Sequence, residues 1–157
     1  MAAAVAAAMM ATACGGAGAP AADCAQFQRL PSQGWPKQTP LEFAPEFPDS
    51  TLAYDLYLAL RHNSRYTFDG IGFDVEIVAA DGSSRLIRAE IGLADSNGNW
   101  TSSGFGPLYQ ATCPLSRAVA PVDAKLIKIS HAMDADPLTG VTEIGLLSRE
   151  SEKNSRK

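Results

Sequence analysis

From Leu52 onward, apolar side chains recur at every second position, a pattern typical of a β-strand with one buried face. Two runs show the alternation most clearly, namely Tyr54, Leu56, Leu58 and Leu60, followed by Ile71, Phe73, Val75 and Ile77. The Asp81-Gly82 pair after the second run fits a tight hairpin turn. Residues 85–93 are therefore predicted to form the partner strand of that hairpin.

Shorter apolar segments between turn residues complete the predicted set, and they cover residues 41–43, 108–112, 126–133 and 141–147. The chain contains no convincing ten-residue amphipathic helix. About seven short strands separated by turn signals favour two packed antiparallel sheets. The predicted fold is therefore an all-β sandwich, with an eight-stranded barrel or a jelly roll as the alternative, since periodicity does not fix strand order.

The beginning of the chain is an uncharged run over residues 1–13 that stops at Cys14. Roughly a dozen apolar residues match a secretory signal better than a membrane span, which needs about 20. The small residues directly before Cys14 resemble the lipobox of bacterial lipoproteins, so residues 1–14 are predicted to be a signal peptide ending at an acylated Cys14. The alternatives are ordinary cleavage with soluble export, and an alanine-rich start on a cytosolic protein.

Composition divides the remaining chain into three parts. Residues 15–23 form a Gly/Ala/Pro spacer, residues 24–147 the sandwich domain, and residues 148–157 a charged tail predicted to be disordered. A body of roughly 125 residues is one domain that buries a substantial core. The excess of 17 acidic over 13 basic residues argues against nucleic acid as a partner.

Two cysteines, Cys24 and Cys113, remain after the signal in a compartment where disulfides form. A bridge between them would close a long loop and contribute on the order of 4 kcal/mol in the chain-entropy model. Two unrelated thiols are an equal alternative, because spacing along the sequence does not show proximity.

The sequence offers no clear catalytic motif. His62 and His131 are the histidines of the chain, and neither begins a motif. The sequence has no Gly-x-Ser-x-Gly elbow and no His-Glu-x-x-His pair. We therefore expect no enzyme activity and no cofactor.

Residues 95–99 place oxygen-bearing side chains at alternate positions, as an EF-hand calcium loop does. That loop needs glycine at its sixth position and glutamate at its twelfth, where this chain has Trp100 and Gly106. A tight turn at Asn97-Gly98 explains the same residues, and Asp134 and Asp136 are interpreted as turn caps. No metal site is expected.

Large apolar side chains also fall where loops are predicted, namely Tyr66, Phe68 and Trp100. Such residues either anchor a partner or a sugar, or fold back over the end of the sandwich. With the polar residues beside them they make up the candidate partner-contact set, which consists of Arg61, His62, Asn63, Tyr66, Phe68, Asp95 and Trp100.

Several ordered blocks of residues stand out along the chain. The first covers residues 54–63 with Tyr66 and Phe68, and the second is Leu-Ala-Asp-x-x-Gly-x-Trp at residues 93–100, followed by Gly104-x-Gly106. The third is the Ala-Met-x-x-Asp-Pro-Leu-x-Gly-Val segment from residue 132. Together these blocks resemble the gliding motility lipoprotein H (GldH) family, and the third resembles the last hairpin of that family. The resemblance spans roughly residues 24–147.

The resemblance implies a short exported protein, anchored in a lipid bilayer through acyl chains such as palmitate on Cys14, without catalytic residues. It also implies a place in the envelope machinery for gliding, which is linked to type IX secretion. We expect such a subunit to dock on other envelope proteins around residues 61–68 and 95–100. Gly15 to Gly18 replace acidic residues after Cys14, so a periplasm-facing domain is expected. A periplasmic glycan- or ligand-binding sandwich is the alternative.

Overall fold

The computed structural model describes residues 11–12, 22–101, 103–105 and 108–152. A short 3₁₀ turn at Pro121–Asp123 interrupts an otherwise all-β chain in these ranges. The strands are β1 (Ala11–Thr12), β2 (Cys24–Arg29), β3 (Leu41–Phe43), β4 (Tyr54–Asn63), β5 (Gly70–Val78), β6 (Ser84–Gly92), β7 (Ser103–Phe105), β8 (Leu108–Val119), β9 (Leu126–His131) and β10 (Val141–Glu150).

The strands form two antiparallel sheets. The larger sheet has the order β1-β2-β10-β4-β8-β7, and the smaller sheet has the order β3-β9-β5-β6. Both are open, with different strands at their edges, so the barrel alternative does not apply. The predicted β-sandwich is confirmed, and the hairpin at Asp81-Gly82 joins β5 to β6 in an unbroken register.

The core lies between the inner faces of the two sheets. Leu56, Leu58 and Leu60 of β4 are fully buried, as the alternation predicts. They belong to one cluster with the inward residues of the smaller sheet, namely Phe73, Val75, Ile77, Ile127 and Ile129. Burial of each such side chain stabilises the fold by about 1.5–3 kcal/mol.

Strand β2 is an element that the apolar pattern does not predict. Its inner face carries polar residues, because Gln26 and Gln28 point toward the gap between β2 and β3. The Gln26 side-chain amide donates to the Ala44 carbonyl at 2.9 Å, and that of Gln28 donates to the Glu42 carbonyl at 2.5 Å. Hydrogen bonds rather than apolar packing therefore close this edge of the sandwich.

Strand β10 continues beyond the predicted end of the domain. Ser148 is buried and pairs with Cys24 on one side and Leu56 on the other. Ladder pairing to β4 continues through Glu150. The prediction of a disordered tail from residue 148 is thus wrong for residues 148–150, because pairing between two strands orders even a polar sequence. Residues 153–157 lie outside the described residues.

Candidate functional site

The candidate site lies at the end of the sandwich where β4 finishes and β5 begins. Asn63 closes the turn there, since its side-chain oxygen accepts from the Arg65 amide at 2.9 Å and its own amide donates to the Gly140 carbonyl at 2.9 Å. The connection between β6 and β7 reaches the same end, where the Leu93 and Ala94 amides donate to the Asp69 carbonyl. Loops distant in sequence therefore converge on one surface.

An aromatic cluster fills this end, with His62 at its centre. The His62 ring lies 4.7 Å from that of Trp100, 5.2 Å from that of Tyr109 and 5.8 Å from that of Tyr66, measured between centroids. The His62 and Tyr109 rings are stacked, at 17° between their planes. Each offset or tilted ring contact at these distances stabilises the fold by about 0.5–1.5 kcal/mol beyond what burial of the rings contributes.

Tyr66 and Phe68 continue the cluster toward solvent. The Tyr66 ring is buried, and its hydroxyl donates to the Gly70 carbonyl at 2.7 Å. Burial, with a smaller contribution from Asp69, raises the pKa of Tyr66 far above its usual value. Phe68 packs edge-on against Tyr66 at 5.6 Å and is 38 % exposed. Phe68, Trp100 and Tyr109, lying over His62 and Tyr66, are named the aromatic end surface below.

The large apolar residues of the candidate set divide into buried and partly exposed side chains, and partner contact by the exposed ones stays a prediction. Tyr66 and His62 fold back over the core and are inaccessible to a partner. Phe68 and Trp100 remain partly exposed above them. The apolar pattern did not single out Tyr109, although it lies in the strand predicted over residues 108–112. Its pairing with His62 across β4 and β8 is what brings it into the cluster.

Asp95 stabilises the loop that precedes Trp100. Its carboxylate accepts from the Asn97 amide at 2.9 Å and from the Asn99 amide at 3.0 Å. The Asn99 bond is the main cause of the lowered pKa of this carboxyl group. Gly98 completes the turn with φ = 81°, a conformation that favours glycine. The carboxylate holds the loop that carries Trp100.

Arg61 does not join the aromatic end surface, contrary to the grouping made from the sequence. Neighbouring strand residues point to opposite faces, so Arg61 lies on the outer face of the larger sheet. Its guanidinium pairs with Glu143 at 2.6 Å and with the Gln110 side chain at 3.0 Å, and it covers the Phe27 ring at 4.0 Å. Phe27 in turn packs over Gly145, where a Cβ would lie 2.5 Å from the ring.

The possible disulfide between Cys24 and Cys113 is not formed, and the two residues are not bonded to each other. Strands β10 and β4 separate β2 from β8. Three strand spacings amount to about 14 Å, which is twice the Cα separation that a disulfide tolerates. Burial raises the pKa of the Cys113 thiol to about 11, so it remains protonated.

Both histidines are buried, and burial disfavours their charged form. The Met133 amide donates to His131 Nδ1 at 3.3 Å, so Nε2 carries the proton and donates to the Trp35 carbonyl at 3.0 Å. Burial is the main cause that lowers the pKa of His131, and it also lowers the pKa of His62. Trp35 and Phe73 pack around His131 in the core.

These lowered pKa values predict that stability falls on acidification. Below about pH 6.5 the unfolded chain binds protons on both histidines that the folded chain does not bind. The free energy of unfolding should therefore be lower at pH 5.5 than at pH 7.5, as measured by urea denaturation. A His62→Gln/His131→Gln double variant should show a flatter pH dependence. An equally steep dependence in that variant would assign the effect to other groups.

The carboxylates and histidines do not converge on a metal centre within the described residues. Asp136, interpreted from the sequence as a turn cap, accepts from the Lys37 amide at 2.9 Å. Cys14, the predicted acylation site, lies outside the described residues. In the described part of the chain, no helix has the length and hydropathy of a transmembrane span.

A family model and a curated relative match this chain. The model described as GldH lipoprotein matches residues 24–147. A protein of Christiangramia forsetii described as a gliding motility lipoprotein GldH homolog is 27% identical over 127 residues, which is 75% of this chain and 78% of that protein. The match covers the sandwich from β2 almost to the end of β10.

Two solved structures resemble the fold. A carbohydrate-binding module specific for non-crystalline cellulose, CBM28, aligns over 90% of this chain and 79% of its own, with a TM-score of 0.51 at 10% identity. A xylan-binding domain of CBM22 aligns over 93% and 84%, with a TM-score of 0.42 at 8% identity. At such low identity the first likeness supports the sandwich fold alone.

Proposed function

The chain belongs to the GldH lipoprotein family, and on that basis we propose that it is a non-enzymatic, lipid-anchored subunit of the cell envelope that acts in gliding motility. Its role is to dock on an envelope protein through the aromatic end surface and so to assemble the motility machinery and the associated type IX secretion machinery. The name of the curated homologue supports the motility assignment. The fold supports a docking role, since a rigid sandwich presents its loops at fixed positions.

Acyl chains on Cys14 form the anchor in this proposal. Several chains together hold a protein on a bilayer without any transmembrane segment. Palmitate is one such chain. The spacer at residues 15–23 then connects the anchor to β2, and the Gly-rich sequence after Cys14 supports a periplasm-facing position.

The observation that carries the docking proposal is the separation of the two ends of the sandwich. Cys24, where the spacer enters, lies in register with Ser148 and Leu56. His62, which lies beneath the aromatic end surface, is six residues further along β4 than Leu56, or about 20 Å at the usual strand rise. The tether therefore leaves from one end and the exposed rings of Phe68 and Trp100 occupy the other, where a bilayer does not obstruct a partner.

We predict that truncation of the exposed rings abolishes function without unfolding the domain. In a deletion strain, complementation with Phe68→Ala/Trp100→Ala should leave surface spreading near the level of the deletion, because partly exposed aromatic residues are frequent binding hot spots. The loss of unfolding free energy should be about 1–3 kcal/mol. Spreading and urea midpoints, at matched protein levels, provide the measurement.

Leu86→Ala is the matched control, since Leu86 is an apolar side chain, 69% exposed, that lies on β6 away from the aromatic end surface. It should restore wild-type spreading. Equal spreading of the double variant and the control would contradict docking at this end. A rise in melting temperature with soluble oligosaccharides, lost in the double variant, would instead favour the glycan-binding alternative.

A further inference from the structure

A groove of about 350 Å³ opens between β6 and β8, at the end of the sandwich opposite the aromatic end surface. Its floor is apolar and formed by Ile77 and Val119, both buried. Its rim is polar and consists of Ser83, Ser84, Arg85, Ser116, Arg117 and Asp123. An apolar floor with a few convergent polar groups is the usual composition of a small-ligand site.

A β-bulge brings Arg117 into this groove. Arg117 and Ala118 of β8 together face the single residue Asp55 of β4, between the pairs Tyr54–Val119 and Leu56–Ser116. Ala118 has φ = 51°, which is unusual for a residue other than glycine, and its amide donates to the Asp55 carboxylate at 2.8 Å. Bulges re-aim side chains, and strained residues cluster at functional sites.

Arg85 approaches from the facing strand. Its Nη2 donates to Ser116 Oγ at 2.7 Å, which fixes the guanidinium across the groove and leaves its other N–H groups for a ligand. With Arg117 the rim carries two cations against the single carboxylate of Asp123. The balance of charge suits a ligand with one negative charge, and the planar guanidinium fork suits an oxyanion.

The groove lies at the level of the sheet where the tether enters. Ser116 is in register with Leu56, Ser148 and Cys24 across four strands. It is therefore about 14 Å from Cys24 along the sheet. The nine spacer residues reach at most roughly 30 Å, so an anchor at Cys14 keeps this end of the domain near the membrane surface.

We propose that the groove binds the phosphodiester of a phospholipid headgroup, with Arg85 and Arg117 as the oxyanion ligands and the apolar floor against the glycerol carbons. This inference rests on the proposed lipid anchor, because the anchor is what brings the groove to the bilayer. Binding would hold the domain upright on its tether, with the aromatic end surface directed away from the membrane.

The test is calorimetric titration of the full chain with glycerophosphoglycerol, the water-soluble phosphodiester of a bacterial headgroup. Arg117→Gln and Arg85→Gln should each weaken binding by about tenfold or more, the usual loss for a charge-assisted contact. Arg88→Gln is the matched control, since Arg88 lies on the same strand but pairs with Asp74 at 3.1 Å on the outer face. It should bind like the wild type.

Titrations with other ligands distinguish between the possible sources of the oxyanion. Weak binding of inorganic phosphate relative to the headgroup supports the proposal, and equal or tighter binding overturns it in favour of free phosphate. Binding of hexanoate but not of the headgroup overturns it in favour of a carboxylate. Equal affinity for the headgroup in Arg85→Gln, Arg117→Gln and Arg88→Gln would show that the groove is not the binding site.

The titration does not depend on acylation, so its outcome is distinct from that of the proposed anchor. A headgroup that binds to a chain shown by mass spectrometry to lack acyl chains would support the groove and contradict the anchor. An acylated chain that does not bind the headgroup would support the anchor and contradict the groove.

Discussion

Gly140→Ala is expected to lower the free energy of unfolding by about 3 kcal/mol or more, since two costs add at this position. Gly140 has φ = 92°, a region that alanine rarely adopts. A Cβ there would also lie 2.6 Å from Tyr66 Cα, and the backbone cannot rotate away as a flexible side chain would. The loss is a large part of the 5–15 kcal/mol that stabilises a typical domain.

Gly82→Ala provides the control for the backbone contact. Gly82 has nearly the same conformation, φ = 86°, but nothing lies within 4 Å of an added Cβ. It should cost only about 1 kcal/mol, the usual penalty of the left-handed region. Urea denaturation of both variants measures the difference, and equal losses would contradict a close approach of Gly140 to Tyr66.

The Gly140 variant also tests how the aromatic end surface is held. Tyr66 supports Phe68 through the edge-on ring contact, so a displaced Tyr66 backbone should move the exposed ring as well. Tryptophan fluorescence, which reports Trp100 beside His62 together with the core residue Trp35, is expected to change in Gly140→Ala and to stay constant in Gly82→Ala.

Cys14→Ala is expected to release the protein from the membrane fraction and to abolish complementation of a deletion strain. The substitution removes the proposed acylation site, and in the described part of the chain no helix is long and apolar enough to span a bilayer. Fractionation after alkaline wash and surface spreading, with secreted-protein yield in parallel, are the measurements. Loss of both traits, rescued only by the wild type, is the expected result.

Cys24→Ala is the matched control, since it makes the same chemical change ten residues later, in the half-buried start of β2. It should remain in the membrane fraction and restore spreading. Retention of Cys14→Ala on the membrane would contradict the anchor. Normal spreading and secretion in the deletion strain itself would mean that the motility role of the family does not extend to this protein.

The sequence alone predicted the elements whose signals are local. The alternation from Tyr54 to Leu60 identifies β4 because a strand exposes one face to the core whatever lies opposite it. Asp81-Gly82 predicts the hairpin, and the family resemblance follows from ordered blocks of residues. The apolar pattern did not predict strand β2 or the end of β10. Gln26 is held in place by a hydrogen bond and Ser148 by strand pairing, and neither interaction leaves a periodic pattern of apolar residues.

Only the tertiary structure decided which residues meet. His62 and Tyr109 are far apart in sequence, and strand register alone stacks their rings. Strand order separates Cys24 from Cys113, and register puts Cys24 and the aromatic end surface at opposite ends of the sandwich. The bulge at Ala118 and its contact with Asp55 are set by pairing between β4 and β8. Neighbours in the chain determine strand formation, whereas contacts between distant segments determine the site, and a single sequence carries little record of them.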